Sequence, residues 1–180
     1  VVVADGTDNR IFMDGVREDI VFHYGSATTS GQFLFKPGAN RFCIGQDFNG
    51  PSYFRGTIDE MRIYNRALSA AEASAMYAQG QPRIAEASGT SLATGLVLHY
   101  SFDTNESGKA KDQSGKGHDG ILQGTKWTPD GALGGARSFD GIRDSIDLGP
   151  DVLNGIRSLS LWFNLDTPID ASLNSEVALV

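Results

Sequence analysis

The clearest alternation of hydrophobic and polar side chains lies in residues 56–65 and leads directly into a helical pattern. From Met61 to Tyr64, apolar and polar residues alternate as they do in a strand with one buried face. Ser69 and Glu72 then have the spacing of a capping box, in which each side chain bonds the other residue's backbone N–H at a helix start. The pattern predicts a strand followed at once by a short helix over residues 70–77.

The rest of the chain consists of short apolar stretches separated by turn signals about every ten residues. Asp14-Gly15 is a strong hairpin signal, because both central residues of a type I′ turn need positive φ. In the stretch 158–165 the apolar side chains fall mainly on one face, and Trp162 within it is expected in the core. These patterns predict an all-β sandwich with almost no helix outside residues 70–77.

One stretch is small, polar and without periodicity, which is typical of a linker. It covers residues 83–94 and divides the chain into residues 1–82 and 95–180. Each part alone would expose one face of a sandwich, at a large hydrophobic cost.

Two groups of motifs resemble one known family. Gly-Thr-Ile-Asp-Glu-Met-Arg-Ile-Tyr-Asn-Arg-Ala-Leu-Ser-Ala-Ala-Glu at 56–72 closely resembles the C-terminal end of laminin-G-like (concanavalin A-like lectin/glucanase) jelly-roll domains. Leu-Val-Leu-His-Tyr-Ser-Phe-Asp at 96–103, Asp-Gln-Ser-Gly-Lys-Gly-His-Asp-Gly at 112–120, Ser-Phe-Asp-Gly at 138–141 and Ser-Leu-Ser-Leu-Trp-Phe at 158–163 resemble the start of such a domain. The resemblance implies a concanavalin A-like jelly roll.

The order of the two groups is unusual, because the end of a domain precedes a beginning. In the resembled family the first and last strands lie side by side, so a linker of about a dozen residues could join them. We therefore expect residues 95–180 to supply the N-terminal part and residues 1–82 the C-terminal part of one jelly roll. The alternatives are the same assembly swapped between two chains, and two truncated neighbours of a tandem array.

Three aspartates are the candidate metal ligands. The resemblance implies a structural calcium ion near the junction of first and last strands, where Asp59, Asp103 and Asp112 are the matching positions. Calcium prefers carboxylate and carbonyl oxygens in flexible geometry, and a glycine-rich loop can supply the carbonyls. The alternative is that these aspartates cap turns, as is common in β proteins.

Four aromatic residues fall in loops and are the candidate ligand contacts: Trp127, Tyr53, Phe54 and Phe48. Exposed aromatic rings at the rim of a sandwich can stack on sugars, whereas loop aromatics also commonly cover the edge of the core.

Charge and spacing exclude several function classes. The net charge of −7 argues against nucleic acid or an anionic membrane as partner, and no apolar run is long enough for membrane insertion. The Glu-x-Asp-x-x-Glu pattern of glucanases is absent, and the adjacent Asp59 and Glu60 are expected to face opposite sides of a strand. The three histidines show no metal-ligand spacing, and the lone Cys43 has no catalytic signature.

The resemblance implies a non-catalytic binding or adhesion module of a larger secreted or cell-surface protein. Carbohydrate is the favoured ligand class, on resemblance alone. The alternatives are a structural or extracellular protein-interaction module without a sugar site and, less favoured, a glycoside hydrolase.

Overall fold

The computed structural model describes residues 1–4, 9–18, 42–46, 52–79, 92–150, 152 and 155–166. The described elements are twelve strands and one helix: β1 (Val2–Ala4), β2 (Asn9–Met13), β3 (Val16–Glu18), β4 (Cys43–Ile44), β5 (Arg55–Tyr64), α1 (Ala70–Gln79), β6 (Leu96–Tyr100), β7 (Lys109–Ala110), β8 (Gly120–Gln123), β9 (Lys126–Thr128), β10 (Ala136–Asp140), β11 (Ser145–Asp147) and β12 (Ser158–Leu165).

The long strand β5 lies at the centre of the larger sheet. The order of the main path is β3-β2-β1-β12-β5-β10-β9, and β6 also pairs with β5. Strand β12 runs antiparallel along one edge of β5, from Gly56 to Tyr64. The other edge is shared, because β10 pairs with residues 55–58 and β6 pairs with residues 61–64. Strands from residues 1–82 and from residues 95–180 therefore form one hydrogen-bonded sheet.

A second sheet has the order β4-β11-β8-β7 and also draws on both parts of the chain. The two sheets enclose the main core. The large sheet contributes Ile58, Met61, Ile63, Leu98, Phe139 and Leu159, and the small sheet contributes Ile44, Ala110 and Ile146. This two-layer packing is that of a β-sandwich.

Helix α1 covers part of the outer face of the larger sheet. A second buried cluster lies between them, formed by Val3, Phe12, Tyr64, Leu68, Ala73 and Met76. The helix begins at the predicted capping box. The N–H of Ser69 donates to Glu72 Oε2 at 2.8 Å, and the N–H of Glu72 donates to Ser69 Oγ at 3.2 Å. The sequence thus fixes both the start of the helix and the face that it buries.

The all-β sandwich and its short helix are confirmed, with the helix two residues longer than the predicted 70–77. The Asp14-Gly15 turn has positive φ at both residues, 50° and 76°, as a type I′ hairpin requires. The expectation for Trp162 is wrong. Leu161 and Phe163 pack against the main core, so strand alternation turns Trp162 to the outer face, where it is partly exposed.

Some expectations lie outside the described residues. They include Phe48 and most of the linker 83–94.

Candidate functional site

The candidate site is the junction on β5 where one neighbouring strand ends and another begins. Pairing with β10 stops at Ile58, and pairing with β6 starts at Met61. Asp59 and Glu60 lie between these two residues, in the gap between β10 and β6. Two loops reach this gap, the one that follows β6 and the one that precedes β10.

The backbone at the junction carries a β-bulge. Ser160 on β12 pairs with Arg62 on β5, and Trp162 pairs with Asp59. Two residues further along β12 therefore correspond to three residues along β5, and β5 carries the extra residue. Glu60 takes φ of 51°, which is uncommon for a non-glycine residue. Bulges of this kind redirect side chains and recur next to functional sites.

Asp59 is a buried carboxylate, with 3% of its surface exposed. Its Oδ1 accepts a hydrogen bond from the N–H of Glu60 at 2.6 Å, and its Oδ2 accepts one from the N–H of Leu133 at 2.9 Å. Burial raises the pKa of Asp59 to about 6, although the backbone donors of Leu133 and Glu60 act in the opposite direction. The protein thus holds a costly anion at the junction.

The glycine-rich loop 131–135 lies against both Asp59 and Asp103. A Cβ on Gly131 would lie 2.8 Å from Oδ2 of Asp59, and a Cβ on Gly134 would lie 2.1 Å from Oδ1 of Asp103. Only glycine allows the backbone to approach the carboxylates so closely. The structure therefore brings two of the three predicted metal ligands to one loop.

Asp112 does not share this loop. Its Oδ1 accepts hydrogen bonds from the N–H groups of His99 and Ser114, at 3.1 and 2.9 Å. Its Oδ2 accepts from the N–H of His118 at 3.0 Å and from Ser114 Oγ at 2.9 Å. Burial raises the pKa of Asp112, but these donors together outweigh it and the pKa lies below its ordinary value. Asp112 caps its own loop.

Within the described ranges, no three side chains of histidine, cysteine, aspartate or glutamate come together as a metal site. A calcium ion held by Asp59 and Asp103 would therefore take its remaining ligands from main-chain oxygens or water.

Glu60 turns to a different set of partners from Asp59. Its carboxylate forms an ion pair with the Arg62 guanidinium and lies 3.0 Å from Nε2 of His99 on the adjacent strand. All three side chains are largely buried, with Glu60 the most enclosed at 6% exposed. The neighbouring carboxylates Asp59 and Glu60 are thus committed to separate contacts.

The predicted aromatic contacts have separate environments. Phe54 is fully buried and meets Phe139 edge-on at 5.7 Å between ring centres. The prediction that Phe54 contacts a ligand at the rim of the sandwich is therefore wrong, because this apolar side chain at the end of its loop packs into the core. The hydroxyl of Tyr53 lies 3.4 Å from Nε2 of Gln46, and the indole N–H of Trp127 donates to the carbonyl of Phe102 at 2.8 Å. Trp127 thereby borders the Asp59–Asp103 junction.

A concave region on the outer face was not predicted from the sequence. We define the helix–hairpin cleft as the space between α1, the β2–β3 turn and the outer face of β12, with a volume of about 270 Å³. Tyr77 and Trp162 stack in it at 5.5 Å, with 23° between the ring planes. The sequence pattern that could have revealed this cleft is the alternation along β12. It places the Trp162 side chain on the opposite face of the strand from Leu161 and Phe163.

No described helix has the length and apolar character needed to cross a membrane.

Comparison with known proteins gives one match. Residues 1–74 match the laminin G family model described as the concanavalin A-like lectin/glucanases superfamily. No curated protein and no solved structure matches the chain at a significant level. The resemblance seen within residues 95–180 remains a prediction from the sequence. Residues 1–74 belong to a laminin-G-like domain of the concanavalin A-like lectin/glucanases superfamily.

Proposed function

We propose that this chain is a non-catalytic binding or adhesion module of a secreted or cell-surface protein, with carbohydrate as its ligand class. The superfamily that residues 1–74 match includes lectins, which supports a binding role. The described fold is a sandwich whose outer face carries a cleft of about 270 Å³, and concave sites of this kind are where proteins bind small ligands. Neither observation selects a particular glycan.

The contacts of Asp59 and Glu60 at the junction support the proposal that the module is not a hydrolase. A retaining glycosidase needs two carboxyl groups about 5–5.5 Å apart that face one cleft. Asp59 is bonded to backbone N–H groups, one of them in the loop 131–135, whereas Glu60 is paired with Arg62 and His99. These contacts favour a role in holding the fold over a role in bond cleavage.

A structural calcium ion is part of the proposal, with Asp59 and Asp103 as its carboxylate ligands. Their approach to the glycine-rich loop and the burial of Asp59 support the assignment, because a cation would compensate a carboxylate that is costly to bury. Asp112 is omitted from this reduced set, because three of its hydrogen bonds close its own loop and the fourth joins that loop to His99 on β6.

Removal of calcium tests the metal site. At calcium concentrations about a hundredfold above Kd, binding to the folded state alone is worth about 2.7 kcal/mol, or a rise in Tm of roughly 5–10 °C over the value in EDTA. The exposed Asp103 allows a mild variant, and Asp103→Asn should lose most of this rise. Asp130→Asn, another exposed loop carboxylate, is the matched control and should keep it. Equal melting points in calcium and EDTA would exclude the site.

A glycan microarray, read with calcium and with EDTA, tests the ligand class. Binding to sugars favours the lectin-like function, and loss of binding on chelation ties it to the junction. The rival function, a structural or protein-interaction module, predicts no glycan binding under either condition. Hydrolysis would appear as release of reducing sugar that disappears when a carboxylate is mutated.

The organisation of the chain is also a proposal. We infer that residues 95–180 and 1–82 complete one jelly roll across the linker 83–94, which makes the chain in effect a circular permutant. The pairing of β5 with β6, β10 and β12 supports this reading over two truncated neighbours. The same pairing between two chains would give a swapped dimer.

A further inference from the structure

The helix–hairpin cleft has walls that the fold holds in place. Ser74 Oγ on α1 donates a hydrogen bond to the carbonyl of Gly15 at 2.8 Å, which ties the hairpin turn to the helix. The contact is close, since a Cβ on Gly15 would lie 3.1 Å from Cβ of Tyr77. A preformed cleft binds its ligand without a large ordering cost.

The cleft combines aromatic surface with polar groups. Tyr77 and Trp162 are both only partly buried, so the stacked pair keeps ring surface exposed. The Asp14 carboxylate and the Ser160 hydroxyl also line the cleft. Aromatic and apolar walls with a few oriented polar groups are typical of small-ligand sites.

Ser160 is the more informative of the two polar groups. Only 6% of its surface is exposed, and it lines the cleft together with Trp162. A hydroxyl in this position can donate one hydrogen bond to a ligand and accept others from it.

The geometry points to the helix–hairpin cleft as a site for one uncharged sugar ring, stacked against the Tyr77–Trp162 pair and hydrogen-bonded to Ser160 and Asp14. Its volume of about 270 Å³ lies just below the range of sites for drug-sized ligands, which suits a single ring better than a long chain segment. The charged groups of the described residues that line it are the Asp14 carboxylate and the Val1 amino group, which offset each other, so the cleft favours an uncharged ring. The class of ligand rests on the proposed carbohydrate function, whereas the site rests on the cleft.

Titration calorimetry with defined probes tests the site. The probes are the methyl glycosides of glucose, galactose, mannose, N-acetylglucosamine and glucuronic acid. At least one neutral glycoside should bind, and the glucuronide should bind at least about tenfold more weakly. Trp162→Ala and Tyr77→Ala should each weaken the neutral glycoside by tenfold or more, because each removes stacking surface. Ser160→Ala, a small change expected to preserve the fold, should weaken it several-fold.

Trp127→Phe is the matched control, because it changes an aromatic residue on β9 that is not among the described residues lining the cleft, and it should alter affinity less than twofold. Neutral binding that survives both Trp162→Ala and Ser160→Ala would overturn the site. If Trp127→Phe abolishes such binding, the carbohydrate function stands and the cleft is wrong. Equal affinity for glucuronide and glucoside would overturn the uncharged class. If none of the glycosides binds and the microarray is also blank, both the site and the carbohydrate function fail.

Discussion

Asp59 and Glu60 are neighbours in the chain but have different electrostatic environments. Asp59 accepts hydrogen bonds from backbone N–H groups and has no cation among its described hydrogen-bond partners. Glu60 forms an ion pair with Arg62, and its carboxylate lies 3.0 Å from Nε2 of His99. The bulge separates their side chains, since Glu60 adopts a left-handed backbone conformation with φ of 51°. One extra residue in a strand thus gives two carboxylates separate roles.

The raised pKa of Asp59 predicts a pH dependence of stability in the absence of metal. Its pKa rises from an ordinary value near 3.9 in the unfolded chain to about 6 in the folded one. The folded state therefore binds more protons between these values, and the free energy of unfolding should fall as pH rises from about 4 to 6. Two pKa units correspond to about 3 kcal/mol at most.

Urea denaturation in EDTA across pH 4–7 measures this effect. Asp59→Asn should flatten the dependence in that window, whereas Asp130→Asn should leave it in place. Wild type and Asp59→Asn with the same slope would show that Asp59 is not the group responsible.

Two glycines with positive φ allow the cost of backbone strain to be compared with the cost of strain plus a steric clash. A Cβ on Gly56 (φ 146°) would lie 2.1 Å from the carbonyl oxygen of Asn164, whereas a Cβ on Gly108 (φ 82°) would meet nothing within 4 Å. Gly56→Ala should lower the free energy of unfolding by about 2–4 kcal/mol, and Gly108→Ala by about 1–2 kcal/mol. Chemical denaturation of both variants checks the order. A smaller loss for Gly56→Ala would mean that β12 does not pass so close to β5.

At this scale the sequence predicted residue types better than residue partners. The resemblance pointed to Asp59 and Asp103, and the structure places both against the loop 131–135. It also pointed to Asp112, whose bonds to its own loop depend on how residues 97–118 fold back and cannot be deduced from spacing. Phe54 was expected at a ligand-binding rim but lies in the core, whereas Trp162 was expected in the core but lies on the outer face. The burial of these two rings depends on the opposite sheet and on α1.

The helix α1 shows how local signals define an element. Glu72 accepts hydrogen bonds from both the N–H and the Oγ of Ser69 and forms an ion pair with Arg66 at 2.6 Å. The helix then buries Ala73 and Met76 against the outer face of the sheet. Capping therefore also anchors the wall of the helix–hairpin cleft.

Removing the capping carboxylate should loosen this element. Glu72→Ala should lower the free energy of unfolding by about 1–2 kcal/mol, because it removes charge-assisted hydrogen bonds at the start of the helix. Glu18→Ala, an exposed glutamate on β3, is the control and should change it by less than about 0.5 kcal/mol. Thermal and urea unfolding of the two variants measure the difference. Equal losses would mean that the box contributes nothing beyond a surface charge.

Elements with local signals were predictable, and those set by distant pairing were not. The capping box, the Asp14-Gly15 turn and the alternation in residues 158–165 each specify their element within a few residues. The bulge at Glu60 exists only because β12 pairs with β5 around it. The gap between β10 and β6 likewise depends on two strands far apart in the chain.

At the scale of the molecule, β5 joins the two parts of the chain. It contributes Ile58, Met61 and Ile63 to the main core and Tyr64 to the cluster under α1. Its partners β6, β10 and β12 all come from residues 95–180. The motif order suggested this arrangement because each part alone would expose a sandwich face. Which chain supplies each part could not be deduced from the motifs.

The most direct test of the account is a disulfide across β5 and β12. Thr57 and Asn164 are paired across these antiparallel strands, where Cα atoms lie about 4.5–5.5 Å apart, within disulfide range. The double variant Thr57→Cys, Asn164→Cys, with Cys43→Ser to remove the native thiol, is oxidised mildly and examined on a non-reducing gel and by intact mass. The account predicts a monomer with an internal disulfide. A covalent dimer would assign the sheet to two chains, and two free thiols would contradict the shared sheet altogether.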